Sequence, residues 1–113
     1  MHELSIAENI VDISLEHMQA HACHKVLSVH LEVGALSGVV KECLEFVFPE
    51  ACEGSALEGC ELTIDTIPVG LLCASCNKES LVEEFKLTCP LCESAKVKLT
   101  QGKELLIKTM EIE

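Results

Sequence analysis

The apolar residues nearest the start of the chain recur with the period of an α-helix. They predict an amphipathic helix from Leu4 to about Ala22, with one face available for a protein core. The predicted inward residues of this helix are Ala7, Val11, Ser14, Leu15 and Met18.

Ser5 and Glu8 stand three positions apart at the start of this predicted helix. That spacing is typical of a capping box, in which each side chain satisfies a backbone N–H of the first turn. We therefore expect Met1, His2 and Glu3 to lie just outside the helix, as an exposed end held close to the body.

Two later segments, residues 26–33 and 61–67, change to a period of two, as expected for half-buried strands. A last strand is predicted over residues 104–112. Its apolar residues are Leu105, Leu106, Ile107, Met110 and Ile112, so we expect it to be covered on both faces for part of its length. In the first segment, the residues expected to face inward are Leu27, Val29, Leu31 and Val33.

A second helix is predicted over residues 39–48, and Pro49 or Gly54 is expected to mark its end. Apolar side chains at helical spacing give it an inward face. The residues of that face are Val40, Cys43, Leu44 and Val47.

These elements are most economically assembled as an α+β fold, a small sheet of about three strands with two helices. A zinc-ribbon-like module that contains four cysteines is inserted between two of the strands. On this interpretation, residues 1–68 together with 103–113 form the α+β domain, and residues 69–102 form the inserted module.

Composition narrows the range of functions. The chain has 113 residues, 49% of them hydrophobic, which is enough for one core. It has 19 acidic residues and 8 basic ones, all of them lysine, which gives a formal net charge of -11. With no arginine and only three aromatic residues, the chain lacks the features of a nucleic-acid binder. The acidic surface could attract cations or a basic partner, or serve solubility alone.

The 8 cysteines would suggest disulfides in a secreted protein. However, the opening residues carry acidic side chains among the apolar ones and do not read as a signal peptide. No apolar run approaches the roughly 20 residues that a membrane span needs. We therefore expect a cytoplasmic protein whose cysteines bind metal or stay reduced.

Four of the cysteines form two CxxC pairs, Cys73 with Cys76 and Cys89 with Cys92, separated by twelve residues. Two such turns that face each other make a tetrahedral four-sulfur site, which suits zinc. Four thiolates close the coordination sphere, so the predicted zinc is structural. A rubredoxin-like iron site and a redox CxxC are the alternatives. We expect the other cysteines to be reduced and partly buried; they are Cys23, Cys43, Cys52 and Cys60.

Met1, His2 and Glu3 offer a second kind of metal site, although a histidine at position two also arises by chance. The α-amine of Met1, the backbone nitrogen of His2 and its imidazole can close two adjacent chelate rings around one ion. The backbone nitrogen or carboxylate of Glu3 could supply a fourth ligand. A planar, nitrogen-rich set of this kind suits nickel(II) or copper(II).

The remaining histidines have simpler interpretations. His17 and His21 lie one turn apart on the first helix and, with His24, could form another metal site. We interpret them as polar residues near a helix end, and His30 as an outward strand residue. The sequence contains no recognisable catalytic arrangement and no phosphate-binding glycine loop, so we expect no enzyme.

Taken in order, four features resemble the HypA/HybF family of nickel chaperones for hydrogenase maturation. They are MHELS at the start, LEVGALSGV after the first helix, the two cysteine pairs, and IKTMEIE at the end. The resemblance implies a nickel site at Met1, His2 and Glu3, with His2 indispensable. It also implies that the four paired cysteines hold structural zinc.

The resemblance further implies delivery of nickel to the large subunit of [NiFe] hydrogenase, together with a nickel-handling GTPase. Family members that also serve urease carry histidines beside the zinc cysteines. At those positions this chain has Asn77 and Glu93, so it lacks the histidines that a pH-driven exchange of zinc ligands would need. A zinc-ribbon protein-interaction module and a redox enzyme are the competing hypotheses, and a homodimer is left open.

Overall fold

The computed structural model describes residues 2–82 and 87–113. Within these ranges the chain forms two helices and six strands, arranged in two three-stranded sheets. In chain order the elements are α1 (Glu3–Ala20), β1 (Val26–Gly34), α2 (Lys41–Cys52), β2 (Glu61–Ile67), β3 (Val69–Cys73), β4 (Glu79–Val82), β5 (Val97–Gln101) and β6 (Leu105–Ile112).

The first sheet has the strand order β2-β1-β6. Its central strand β1 runs parallel to β2 and antiparallel to β6. A parallel neighbour needs a crossover connection, and α2 supplies it. The second sheet has the order β4-β3-β5, with both pairings antiparallel. Cys73 is the last residue of β3, and the other three paired cysteines lie in the connections between its strands. This confirms the predicted α+β class, with two helices, a small sheet and a four-cysteine module.

The hydrophobic core lies between the helices and the first sheet. Its largest fully buried side chains are Phe48, Leu31, Leu44 and Leu57. Burying a side chain of this size contributes about 1.5–3 kcal/mol. Ser14 is also fully buried, and its hydroxyl donates to the Ile10 carbonyl oxygen at 2.7 Å, so the polar atom is satisfied.

The two sheets are connected where two glycines approach each other. A Cβ atom on Gly34 would lie 2.1 Å from the carbonyl oxygen of Gly102, so any side chain there would clash with backbone. The Gly34 N–H donates to the Glu104 carbonyl, and the Leu36 N–H donates to the Gly102 carbonyl, both at 2.7 Å. These bonds fix the chain where it returns from the second sheet to β6.

The predicted capping box is wrong. Helix α1 begins at Glu3, with His2 at the N-cap, because the Ile6 N–H already donates to the His2 carbonyl at 3.2 Å. Ser5 and Glu8 therefore lie inside the helix, and Glu3 is its first residue rather than part of the free end. Among the described residues, no side chain caps this helix.

The predicted faces of β1 and α2 are partly wrong. A β-bulge between Val26 and Ser28 inverts the alternation at the start of β1, so Val26 is buried and Leu27 is 37% exposed. Helix α2 begins two residues later than predicted and continues through Pro49 to Cys52. It buries positions four apart, and the predicted inward residues Val40 and Cys43 are exposed. The buried residues of α2 are Leu44, Phe48 and Cys52.

Strand β6 was expected to be covered on both faces, and this is wrong as well. It lies at the edge of the first sheet, and its residues are all exposed or partly exposed. Leu105 and Leu106 are 40% and 44% exposed. None of the helices described here is long and apolar enough to cross a membrane.

Candidate metal centres

The structure brings the sulfurs of the two CxxC pairs together. The Sγ atoms of Cys73, Cys76, Cys89 and Cys92 all lie within 4.8 Å of one another. Two contacts join opposite pairs, with the sulfurs of Cys73 and Cys92 at 3.5 Å and those of Cys76 and Cys89 at 3.7 Å. Within the described residues, this is the one group of three or more potential ligands at such distances.

These distances fit a zinc ion. A tetrahedral site with zinc–sulfur bonds of about 2.3 Å has sulfur–sulfur edges of about 3.8 Å. The two contacts between opposite pairs, at 3.5 and 3.7 Å, come close to that value. Cys73 and Cys89 are each only 1% exposed, so the cluster is shielded on one side. Four soft sulfur donors favour zinc and leave no position open for a substrate.

Each cysteine pair sits on a turn of the same construction. In the first turn the Asn77 N–H donates to the Cys73 carbonyl, and in the second the Glu93 N–H donates to the Cys89 carbonyl, both at 2.8 Å. Asn77 and Glu93 both have left-handed backbone conformations, with φ of 58° and 61°. A hydrogen bond of 2.9 Å between the hydroxyls of Ser75 and Ser94 joins the two turns. Most of this network is backbone, which fixes the sulfurs independently of neighbouring side chains.

Cys73 and Cys92 hold their protons unequally. The Cys76 N–H donates to the Cys73 sulfur at 3.4 Å and, with further hydrogen bonds from the Cys92 thiol and the Ser75 backbone, lowers the pKa of Cys73 to about 6. At Cys92 a Ser94 backbone hydrogen bond acts in the same direction, but the sulfurs of Cys73 and Cys89, together with burial, raise the pKa to about 12. The cluster alone thus accepts one negative charge and resists another. A dication at its centre removes that resistance because a coordinated thiol loses its proton.

The N-terminal candidates lie at the start of α1. His2 is exposed, with an extended backbone (φ -84°, ψ 107°). Glu3 is partly buried, and its carboxylate accepts a hydrogen bond of 3.4 Å from the N–H of Val40, the N-cap residue of α2. Met1, the predicted source of the amine ligand, lies outside the described residues.

The backbone amides beside His2 are not needed by the helix. An α-helix leaves its first four N–H groups without a partner of its own, and here the first bonded N–H is that of Ile6. The nitrogens of His2 and Glu3 could therefore coordinate a metal without breaking a helical hydrogen bond. An open cleft of about 500 Å³ adjoins His2, and Glu8 and Asp12 add negative charge to its lining.

The other histidines lie elsewhere. The ring of His30 is paired with Asp65, with its Nε2 2.7 Å from the carboxylate, which gives this strand residue a structural partner. His17 and His21 are exposed near the end of α1, with ring centroids 4.3 Å apart. His24 is exposed beyond the helix, where its N–H donates to the carbonyl of Glu113 at 2.7 Å.

Sequence reasoning missed two contributors to these centres. The Glu3–Val40 contact joins residues 37 positions apart, and no local pattern announces it. The left-handed residue after each cysteine pair was predictable only for the first pair, since Asn77 is a residue type that tolerates this conformation. Glu93 at the equivalent position gave no such signal.

Comparison with known proteins agrees with this arrangement. The family model described as hydrogenase/urease nickel incorporation, metallochaperone, hypA, matches residues 1–112. The hydrogenase maturation factor HybF of Klebsiella pneumoniae is 38% identical over 111 residues, and the match covers 98% of each chain. The hydrogenase maturation factor HypA of Chloroflexus aurantiacus is 40% identical over 112 residues, again covering 98% of each chain.

Two solved structures have the same fold. The solution structure of the Ni metallochaperone HypA from Helicobacter pylori aligns with a TM-score of 0.70 and 26% identity, covering 99% of this chain and 97% of that one. A second HypA solution structure aligns with a TM-score of 0.73 and 26% identity.

Two helices over a small sheet, joined to a four-cysteine cluster that could hold a metal ion, define a small metal-binding protein. The whole-length matches make the assignment specific. The chain belongs to the HypA/HybF family of nickel-incorporation factors for hydrogenase maturation, which confirms the resemblance inferred from its sequence.

Proposed function

We propose that this chain binds Ni²⁺ at its N-terminus and delivers it to the large subunit of [NiFe] hydrogenase, together with a nickel-handling GTPase. The ligands are the α-amine of Met1, the backbone nitrogen and imidazole of His2, and a donor from Glu3. The ion is cargo, and the chain acts as a carrier without a catalytic step.

The position of His2 is the observation that carries this proposal. Its imidazole is exposed at the N-cap of α1, and the adjoining amides lie outside the helical ladder. A planar set of nitrogen donors suits Ni²⁺ better than it suits zinc. An exposed site at one end of the chain also lets an acceptor approach the ion and replace the ligands one at a time.

Glu3 has two roles open to it in this proposal. Its backbone nitrogen can coordinate nickel while its carboxylate keeps the hydrogen bond to Val40, which ties the start of α1 to the start of α2. Coordination through the carboxylate would instead break that bond. We favour the backbone nitrogen because it completes the chelate without releasing α2.

The four paired cysteines hold zinc in a structural role in this proposal. Residues 69–102 form the zinc-binding module, and residues 1–68 together with 103–113 form the nickel-binding domain. Because metal binding is coupled to folding in small modules of this kind, zinc would keep the second sheet ordered while nickel comes and goes. We expect this exchange to take place in the cytoplasm.

The test is a nickel titration of zinc-loaded protein that begins at its native Met1. The comparison variants are His2→Ala and a chain extended by several residues before Met1. We expect both changes to abolish nickel binding at the N-terminal site, because one removes the imidazole and the other removes the free amine. Zinc content should stay at about one ion per chain in all three proteins, since four thiolates form a site of their own.

His24→Ala is the matched control, because it removes an exposed histidine beyond the far end of α1. It should leave the nickel affinity unchanged. Equal nickel affinity in the native and extended chains would rule out the N-terminal site.

A further inference from the structure

The C-terminal end of α1 carries a pair of histidines that the nickel site does not use. His17 and His21 lie one turn apart, and both are exposed. Their ring centroids are 4.3 Å apart, with the ring planes inclined by 43°. The two imidazoles are therefore adjacent and accessible from the same side of the helix.

The hydrogen bond made by His21 fixes the tautomer of its imidazole ring. Its Nδ1 lies 2.9 Å from the carbonyl oxygen of His17. A carbonyl oxygen only accepts, so Nδ1 carries the proton and donates it. In a neutral imidazole the lone pair then resides on Nε2. Histidines that bind metals commonly have this arrangement, in which one ring nitrogen donates to a carbonyl or carboxylate and the other coordinates.

The same hydrogen bond also completes the helix end. The backbone N–H of His21 donates to Met18, so the His17 carbonyl is left for the imidazole to satisfy. This capping role by itself explains why the ring is held in place. It does not consume Nε2, which stays free as a ligand on a ring that is already oriented.

The spacing of the rings suits a single ion. With metal–nitrogen bonds of about 2.0–2.1 Å, two imidazoles at right angles around one ion have centroids about 4.5 Å apart. The observed 4.3 Å is close to this value. The position also favours a cation, because the C-terminus of a helix carries a partial negative charge. Lys108 lines the groove beside His17 and opposes this effect.

We propose that His17 and His21 form a second binding site for a late first-row dication, Ni²⁺ or Cu²⁺. Each supplies one imidazole nitrogen, and water completes the coordination sphere. The two histidines lie about 22 and 28 Å from His2 along the axis of α1, so the two sites hold separate ions. With two protein ligands instead of the three or four of the N-terminal site, this site binds more weakly, and it prefers Cu²⁺ to Ni²⁺.

The experiment uses the zinc-loaded full chain with its N-terminal site disabled by both His2→Gln and an extension before Met1. Cu²⁺ and Ni²⁺ are titrated separately by calorimetry, and the Cu²⁺ form is examined by electron paramagnetic resonance. We expect one ion per chain, with two imidazole nitrogens in the Cu²⁺ spectrum. His17→Gln or His21→Gln should weaken binding by at least about 10- to 100-fold, the loss seen when a residue that merely orients a ligand is removed.

Two controls distinguish metal binding by this histidine pair from nonspecific binding to exposed histidines. His24→Gln, which removes a neighbouring exposed histidine, should leave the affinity unchanged. His21→Gln combined with Gln19→His keeps the histidine count but places the second ring two positions from His17, where side chains do not face each other. That variant should stay weak. Equal affinity in the parent and His21→Gln chains, or an equal loss with His24→Gln, would overturn the proposal, and it would do so without bearing on the N-terminal nickel site.

Discussion

The two candidate metal centres of this chain hold their donors in opposite ways. The cysteine cluster draws its sulfurs from two turns that are each closed by backbone hydrogen bonds, and two of its four cysteines are 1% exposed. His2, in contrast, stands exposed at the first position before α1, beside amides that have no helical role. A buried, closed site retains its ion, whereas an open site at a chain end can give its ion up.

The two sheets differ in the same sense. Thirteen buried residues form one core between the helices and the first sheet. In the described part of the second sheet and its turns, the buried hydrophobic residues are Val69, Leu71, Cys73 and Cys89. Two of these four are candidate metal ligands. The first sheet is therefore stabilised by apolar burial, and we expect the second to depend on a metal bound by its cysteines.

Removing a zinc ligand should have the largest effect. In Cys73→Ser we expect zinc content to fall from about one ion per chain to nearly none, because one of the four ligands is gone. Zinc binding supplies about 10–16 kcal/mol of folding free energy in comparable small modules. The amide NMR signals of the second sheet should therefore collapse, while those of α1 and β1 persist. Cys43→Ser, which changes an exposed cysteine, should alter neither. A zinc-free variant with an intact second sheet would contradict this dependence on metal.

Disrupting the apolar core tests whether apolar burial stabilises the first sheet. Phe48 is 2% exposed, and Phe48→Ala should lower the free energy of unfolding by about 3–5 kcal/mol in urea denaturation. Phe46, two residues away on the same helix, is 84% exposed, so Phe46→Ala should change it by less than about 0.5 kcal/mol. Both variants should keep their zinc. Loss of zinc from Phe48→Ala would mean that the sheets do not behave separately.

Alkaline pH should distinguish the thiols of the core from those of the cluster. Burial, with a smaller contribution from Cys60, raises the pKa of Cys52 from 9.0 to about 11. The folded chain thus favours the neutral thiol. Its contribution to stability is complete below pH 9 and is lost as the pH rises through about 11. The cluster thiols behave oppositely, since metal binding requires their deprotonation.

The measurement for Cys52 is the free energy of unfolding at a series of pH values from 8 to about 11. Cys52→Ala should be less stable at pH 8 but should decline less steeply above pH 9, because the titrating thiol is gone. Cys43→Ala serves as the exposed control and should decline as the unmodified chain does. Parallel curves for all three proteins would show that the Cys52 thiol does not contribute.

The smallest effect is expected at the left-handed position after the second cysteine pair. Glu93 has φ of 61°, which costs a residue with a side chain about 1–2 kcal/mol relative to glycine. Glycine also loses more conformational entropy on folding, which offsets part of this gain. Glu93→Gly should therefore stabilise the module by about 0.5 kcal/mol. Slower zinc loss to a chelator would reveal it. If Glu93→Ala slowed zinc loss as much, the backbone explanation would be wrong.

Features that depend on short sequence spacing were the predictable ones. The paired cysteines are a local pattern, and the structure brings their sulfurs together as that pattern implies. The bounds of β2 were predicted to the residue because Pro68 ends it. A helix with one continuous apolar face, α1, was placed to within two residues at each end.

Features that depend on distant partners were not predictable. The bulge at Val26 arises from the pairing of β1 with β6, about 80 residues later in the chain, and it reverses the exposure of Leu27. The apolar run of β6 resembled a buried strand, yet only its place in the strand order decides that it lies at an edge. The bond from Val40 to Glu3 likewise exists only because α1 and α2 pack side by side.

The position of β6 also sets an order of events during synthesis. Strand β2 follows β1 closely in the chain and is available to pair with it first, whereas the partner of the other edge of β1 is made only after the entire second sheet. At a translation rate of about 5–20 residues per second, residues 68–104 take roughly 2–7 s to appear. During that interval the edge of β1 that β6 later covers has unpaired backbone N–H and C=O groups, a surface prone to self-association. The rate at which the cysteine module is completed therefore governs how long each nascent molecule stays vulnerable.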